Sequence, residues 1–192
     1  MKKRLLLVAL SALLAAACQQ SRNTGSTVSA DSLKTVYLAL NDSVTANWKR
    51  LTDSDDEKIS DVKRLLQEIS HTTVHNRALL DSLVRMQATL TAKRYTMETM
   101  VSEQIDAYDL ATDSLVQRIP RLMASVPDLE SYPLCAELSQ EIDSAGQAVL
   151  LHRIHYDKYA KLHNQFIREH AADLQKTGYA NQKPKPLFQL GA

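Results

Sequence analysis

Between Ala30 and Lys176 the chain holds one glycine, Gly146, and three prolines crowded into one neighbourhood, Pro120, Pro127 and Pro133. Glycine and proline are the residues that turn a chain and break its helices, so a stretch this long with so few of them excludes a turn-rich β architecture. Apolar residues recur there at spacings of three and four, with no sustained alternation of period two. The expected fold class is all-α, an elongated up-and-down bundle of about four long helices over residues 30–176.

One stripe runs Leu33, Tyr37, Leu40, Val44, Trp48, Leu51 and resumes at Ile59, Val62, Leu66 and Ile69. No breaker interrupts it, and one long helix from about 30 to 71 is favoured over two shorter ones. The acidic run Asp53, Asp55, Asp56, Glu57 lacks the glycine and terminal glutamate of a calcium loop and is expected to be a solvated face. A second stripe, Leu79 to Leu122, would span roughly 70 Å as one helix, so a turn must interrupt it, near TAKRYT or DLATDS. Pro120 should kink or end a helix, and VPDLESYP marks the last connection. The final helix carries Leu138, Ile142, Ala145, Val149, His152, Tyr156, Tyr159, His163, Phe166 and His170 as one seam. Gly178 is its C-cap candidate, and close approach of a neighbouring helix would explain Gly146.

The N-terminus constrains location. Lys2, Lys3 and Arg4 precede the apolar run Leu5 to Ala17, the pattern of a secretory signal over residues 1–17. That run is shorter than the roughly 18–20 residues needed to span a bilayer. Ala15, Ala16, Ala17 and Cys18 resemble a bacterial lipobox, which implies cleavage between Ala17 and Cys18 and lipidation of Cys18; an ordinary signal with an incidental cysteine is the competing reading. Two or more acyl chains on Cys18 would anchor the protein stably to a membrane. Gln19 after the cysteine resembles an outer-membrane sorting signal, so the expected location is the bacterial cell envelope, facing the periplasm. Residues 18–29 read as lipidated cysteine and flexible tether, and 177–192 as a Pro-containing tail. Without Lys2, Lys3 and Arg4 the chain keeps 20 Lys+Arg against 22 Asp+Glu, a balance with no basic footprint for nucleic acid. With Cys18 lipidated, Cys135 is the remaining thiol, expected as a small buried hydrophobe.

HRIHYDKYAKLHNQFIREH, residues 152–170, gathers four of the six histidines. His71 and His75 at i, i+4 and His152 and His155 at i, i+3 could face each other as four nitrogen ligands of a metal. Against that, Thr72 follows His71 where a His-Glu-x-x-His helix needs glutamate, and His152 and His163 fall in the seam, where side chains pack. The seam reading is preferred, with no cofactor expected. No nucleophile elbow, P-loop or dinucleotide turn is present, and nothing nominates an enzyme.

Several of these residues carry a resemblance. Val126-Pro127-Asp128-Leu129, Arg153 with Tyr156-Asp157, His163-Asn164, and Lys183-Pro184-Lys185-Pro186-Leu187-Phe188 are similar in kind and order to motifs of the LemA family. Val126 and His163 stand where that family has tyrosine, Asp157 where it has asparagine, and the upstream Arg pair and proline are missing. The resemblance implies a membrane-tethered bundle of four main helices with no established reaction, here held by a lipid. The functional expectation is a non-catalytic scaffold or interaction module with an envelope protein partner, or with itself as a homo-oligomer; the alternative is a metal-binding bundle, enzymatic or not. The tail is expected to pack across the bundle in preference to being captured by a partner.

Overall fold

A computed structural model describes residues 29–188. The signal segment, the cleavage pair Ala17 and Cys18, and the last residues of the tail lie outside that range. Helix α1 spans Ala30–Ser70, α2 Arg77–Lys93, α3 Ser102–Val116, α4 Ile119–Met123, α5 Pro133–Glu169 and α6 Ala171–Leu174, with 3-10 turns at Leu129–Ser131 and Gln175–Thr177. The described residues contain helices and no strands, as the spacing predicts. The length pattern differs from four long helices. Two helices of 41 and 37 residues form an antiparallel hairpin, α1 against α5, and a shorter hairpin of 17 and 15 residues, α2 and α3, covers one end of it.

Local chemistry sets the boundaries. Ser29 caps α1 by accepting from the Ser32 N–H at 3.2 Å, and Asn76 caps α2 by accepting from Leu79. The turn in the second stripe falls at TAKRYT: Thr96 and Thr99 each accept the other's backbone N–H, at 3.3 and 2.9 Å. Side-chain oxygens here replace the helical ladder. DLATDS, the other candidate, lies inside α3, where the Thr112 hydroxyl donates back to the Tyr108 carbonyl. Pro120 does not end a running helix but sits in the first turn of α4, after α3 has stopped at Val116. Pro133 likewise opens α5.

The core has two parts. At the end covered by α2 and α3, Val62, Leu65, Leu66 and Ile69 of α1 meet Leu80, Leu83, Leu90, Tyr108, Leu115, Leu122, and Cys135, Leu138 and Ile142 of α5. Cys135 is a fully buried free thiol, and burial pushes its pKa up. At the other end two helices alone cannot enclose a core, and the tail supplies the third layer. Tyr37, Ile167 and Leu174 cluster with Tyr179, and Val44, Leu51, Tyr156 and Ala160 cluster with Phe188. Gly178, at φ +82°, takes the left-handed conformation that lets the chain leave the last 3-10 turn and run back along the hairpin.

The α5 seam needs one correction. Leu138, Ile142, Ala145, Val149, Tyr156 and His163 are buried as expected, but Ala160 and Ile167 are the buried residues where Tyr159 and Phe166 were expected, and those two, with His152 and His170, are half-buried. A helix of 3.6 residues per turn drifts about 20° per heptad from a 3.5 repeat, and the accumulated drift moves the inward face by one residue in the second half of α5. Gly146 is also explained differently from the expectation, for a β-carbon there would meet nothing within 4 Å. It lines an open groove between α3 and α5.

Candidate tail clasp and its polar core

The feature with the densest specific chemistry is the channel in which residues 185–188 lie. On α5, Arg153, Asp157, Ala160 and Asn164 recur at spacings of four, three and four, a strip beside the core seam. Asn164 holds Lys185 at both backbone groups: its Nδ2 donates to the Lys185 carbonyl and its Oδ1 accepts the Lys185 N–H, both at 2.7 Å. The Tyr156 hydroxyl donates to the Pro186 carbonyl at 3.0 Å, and Asp157 Oδ1 accepts the Phe188 N–H at 2.9 Å. From Asn164 to Asp157 the helix rises about 10 Å, and three residues of extended chain span about the same distance. Side chains one above another on α5 thus match the peptide repeat of a strand running antiparallel to it. Pro184 and Pro186 suit this mode because neither has an N–H to leave unsatisfied.

Phe188 is 6% exposed. Its ring stacks on Trp48 at 6.2 Å and meets Tyr95 and Tyr156 edge-on at 6.2 and 5.6 Å, while the Arg153 guanidinium lies 4.9 Å from its centroid. These are the offset and edge geometries that aromatic quadrupoles prefer, with a cation over one face. Farther along the tail, the Tyr37 hydroxyl donates to Gln182 at 2.6 Å and its ring packs on Tyr179.

Beneath Phe188 lies a chain of charges. Arg153 donates to both oxygens of Asp109 at 2.6 Å and to the Tyr95 hydroxyl at 3.3 Å. Asp55, expected in a solvated face, is 7% exposed; its Oδ2 accepts from Arg94 at 3.1 Å and from the Tyr108 hydroxyl, and its Oδ1 forms an ion pair with Lys58 at 3.0 Å. Arg94 also pairs with Asp56. Trp48, Asp55, Arg94, Tyr95, Tyr108 and Arg153 line a cavity of about 30 Å³, the scale of one water molecule. Burial pushes the Asp55 carboxyl up, but Lys58, the Tyr108 hydroxyl and Arg94 outweigh it and hold it below the usual range. Tyr95 is pushed up to about 12 by burial and the nearby carboxylates, despite Arg153; Tyr108 and Tyr156 also rise, through burial and beside Asp55 and Asp157 respectively. The phenols are therefore held protonated, Tyr108 and Tyr156 as donors and Tyr95 as an acceptor from Arg153, and the carboxylate ionised, a set of fixed dipoles and charges suited to positioning.

The sequence-predicted site residues divide accordingly. Arg153, Tyr156, Asp157, Asn164, Pro186 and Phe188 converge on the clasp, with Pro184 just before it. His163 is 1% exposed beneath the tail, against the Tyr37 ring at 5.7 Å; burial and Lys185 lower its pKa although Asn164 at 3.3 Å raises it. Pro127, Asp128 and Leu129 belong to the α4–α5 connection at the opposite end. His71 and His75 lie in the turn after α1, where His75 meets Thr72, and His152 and His155 lie mid-way along α5 with ring centroids 6.5 Å apart. Glu68 stands three residues before His71, at the Glu-x-x-His spacing of carboxylate-bridged metal bundles. Even so, no three His, Cys, Asp or Glu side chains among the described residues form a group that could hold a metal.

Sequence reasoning missed Trp48 as a stacking partner, and Asp55, Arg94, Tyr95, Tyr108 and Asp109. The available signal was the polar strip on α5: Arg, Asp and Asn at helical spacing around a small Ala160, next to an apolar seam. No helix among the described residues is long and apolar enough to cross a membrane. No family model, no curated protein and no solved structure matches this chain.

Proposed function

We propose that the protein is a lipid-anchored, cell-envelope helical bundle of the LemA type that serves as a non-catalytic scaffold or interaction module. The observation that carries this reading is the clasp. Residues carrying the family resemblance in separate parts of the sequence meet at one place: Tyr156, Asp157 and Asn164 bond the backbone of residues 185–188, Arg153 lies over the Phe188 ring, and His163 packs beneath the tail. Side chains committed in this way make a rigid body with defined surfaces. The anchor would be Cys18, tethered ahead of α1 and facing the periplasm from the outer membrane, with another envelope protein as partner.

Two measurements test this reading. Metabolic labelling with a fatty acid, followed by membrane fractionation, should place label and protein together in the membrane and lose both in Cys18→Ser. A soluble, unlabelled wild-type chain refutes the anchor. Metal analysis of the purified protein should find none in stoichiometric amount and a melt indifferent to chelator; bound metal with a zinc-dependent rise in Tm would turn the search for function to His71, His75, His152 and His155.

A further inference from the structure

The face of α5 turned away from α1 borders the α3 groove along its edge at Asp143 and Leu150 and is otherwise uncovered among the described residues, yet it is not polar. Leu150, Leu151 and Ile154 are 53%, 50% and 50% exposed. Asp143, Gln147, Leu150, Ile154, Lys158 and Lys161 recur at spacings of four and three along this face, a second heptad-like seam opposite the buried one. Apolar residues on one stripe of a helix are what a second helix covers. Along this stripe the acid Asp143 stands toward the N-terminal end and the bases Lys158, Lys161 and Arg168 toward the C-terminal end, with the apolar pair between them; Glu137 and Glu169 lie to one side of it. None of these four stripe charges takes part in an ion pair among the described residues.

That arrangement is complementary to itself. We infer that the outward face of α5 is a homodimer seam, in which a second copy packs its own α5 antiparallel about a two-fold axis beside His152. Around such an axis Leu150 of one copy faces Ile154 of the other, and Asp143 faces Lys161. The two-fold repeats each contact, so two Asp143–Lys161 pairs form and the apolar centre closes on itself. A parallel pairing would set Asp143 on Asp143 and Lys161 on Lys161. A bilayer of anionic lipid would attract the lysines but repel Asp143, so a second copy accounts for both halves of the face. From Asp143 to Lys161 the seam is about 27 Å long. One helix pair of that length buries less than a standard stable interface of about 1,200–2,000 Å², which makes the dimer weak and reversible in solution.

This inference deepens the interaction-module reading by naming a surface and its partner, and it can fail while the Cys18 anchor holds. The test is sedimentation equilibrium of the full mature chain in detergent micelles, up to about 100 µM, where weak association still registers. The wild type should dimerise, and Asp143→Lys and Lys161→Asp should each raise the dissociation constant about tenfold, because each places like charges opposite one another twice. The doubly swapped chain should dimerise again. An equimolar mixture of the two single variants should form heterodimers, since both of its cross pairs are attractive. Leu150→Ser with Ile154→Ser should weaken the dimer without lowering the melting temperature, which shows that the fold survives. A monomer throughout, or a dimer indifferent to the charge swaps, overturns the inference. So does binding of the unlipidated chain to anionic vesicles, strengthened by Asp143→Lys and abolished by Lys161→Asp, with no dimer formed.

Discussion

Replacing Phe188 with alanine tests the clasp at its deepest point. The ring is 6% exposed and touches Trp48, Tyr95 and Tyr156. Burying a phenylalanine contributes about 1.5–3 kcal/mol in transfer free energy, and truncating one in a core costs about 3–5 kcal/mol with the cavity included. Residues 185–188 lie as an extended strand on the outside of the helical hairpin, so the tail can leave its channel and cap that loss. We therefore expect about 3 kcal/mol, near the lower bound. For a domain of this size, about 1 kcal/mol moves Tm by roughly 2–4 °C, which gives a fall of about 6–12 °C by circular dichroism. Trp48 is the chain's one tryptophan, and it stacks on the ring that is removed. Its emission should shift to the red as water reaches the indole. A Tm within about 1 °C of wild type with unchanged Trp48 emission would refute the claim that the tail completes the core.

Three further outcomes follow from individual side chains. Gly146→Ala should stabilise the protein by up to about 1 kcal/mol in a denaturant melt, because alanine favours the helix interior and a β-carbon there meets nothing within 4 Å; a loss of stability would show that the groove closes. Asp55→Asn should cost about 3 kcal/mol, since it leaves Lys58, Arg94 and the Tyr108 hydroxyl facing a neutral amide. A change below about 0.5 kcal/mol, the size of an ordinary surface substitution, would mean that the pair opens to water. His163 has a pKa held below its ordinary 6.5, chiefly by burial, so the unfolded chain takes up a proton first as pH falls. Its contribution is intact above 6.5 and is lost as pH drops through the folded value. His163→Phe should remove that loss and flatten stability between neutral and mildly acidic pH; an unchanged acid slope would assign it to other groups.

The helical body was legible because its signal is local. The absence of breakers over α1 and the prolines clustered between 120 and 133 act within a few residues of where they stand, whereas the choice of TAKRYT over DLATDS, and Pro120 opening a helix where it was expected to end one, depended on the tertiary fold. The relative lengths of the helices were not legible in this way. The stripe resumes at Met97, one heptad after Leu90, even though the backbone turns between them, because Met97 still reaches the core from a non-helical segment. Asp55 illustrates a second limit. Its neighbours Asp53, Asp56 and Glu57 are exposed, so its acidic surroundings read as solvated face. Its burial is decided by Arg94 and Tyr108, which lie 39 and 53 residues away in sequence.

The clasp shows why a tail with so few apolar residues is nonetheless fixed. The α1–α5 hairpin outruns the α2–α3 hairpin, and over that excess length two helices would leave Val44, Trp48, Tyr156 and Ala160 open on one side. An extended strand can cover such a face only if its backbone polar groups find partners as it enters, since an unpaired buried amide costs about 1–3 kcal/mol. Prolines at 184 and 186 remove two donors from that account, Asn164 takes both groups of Lys185, and Tyr156 and Asp157 take the Pro186 carbonyl and the Phe188 N–H. The polar strip on α5 and the proline spacing of the tail are thus two halves of one solution. Asp157 Oδ1 is its tightest constraint, because an aliphatic residue there would keep the helix but strand the Phe188 N–H in an apolar channel.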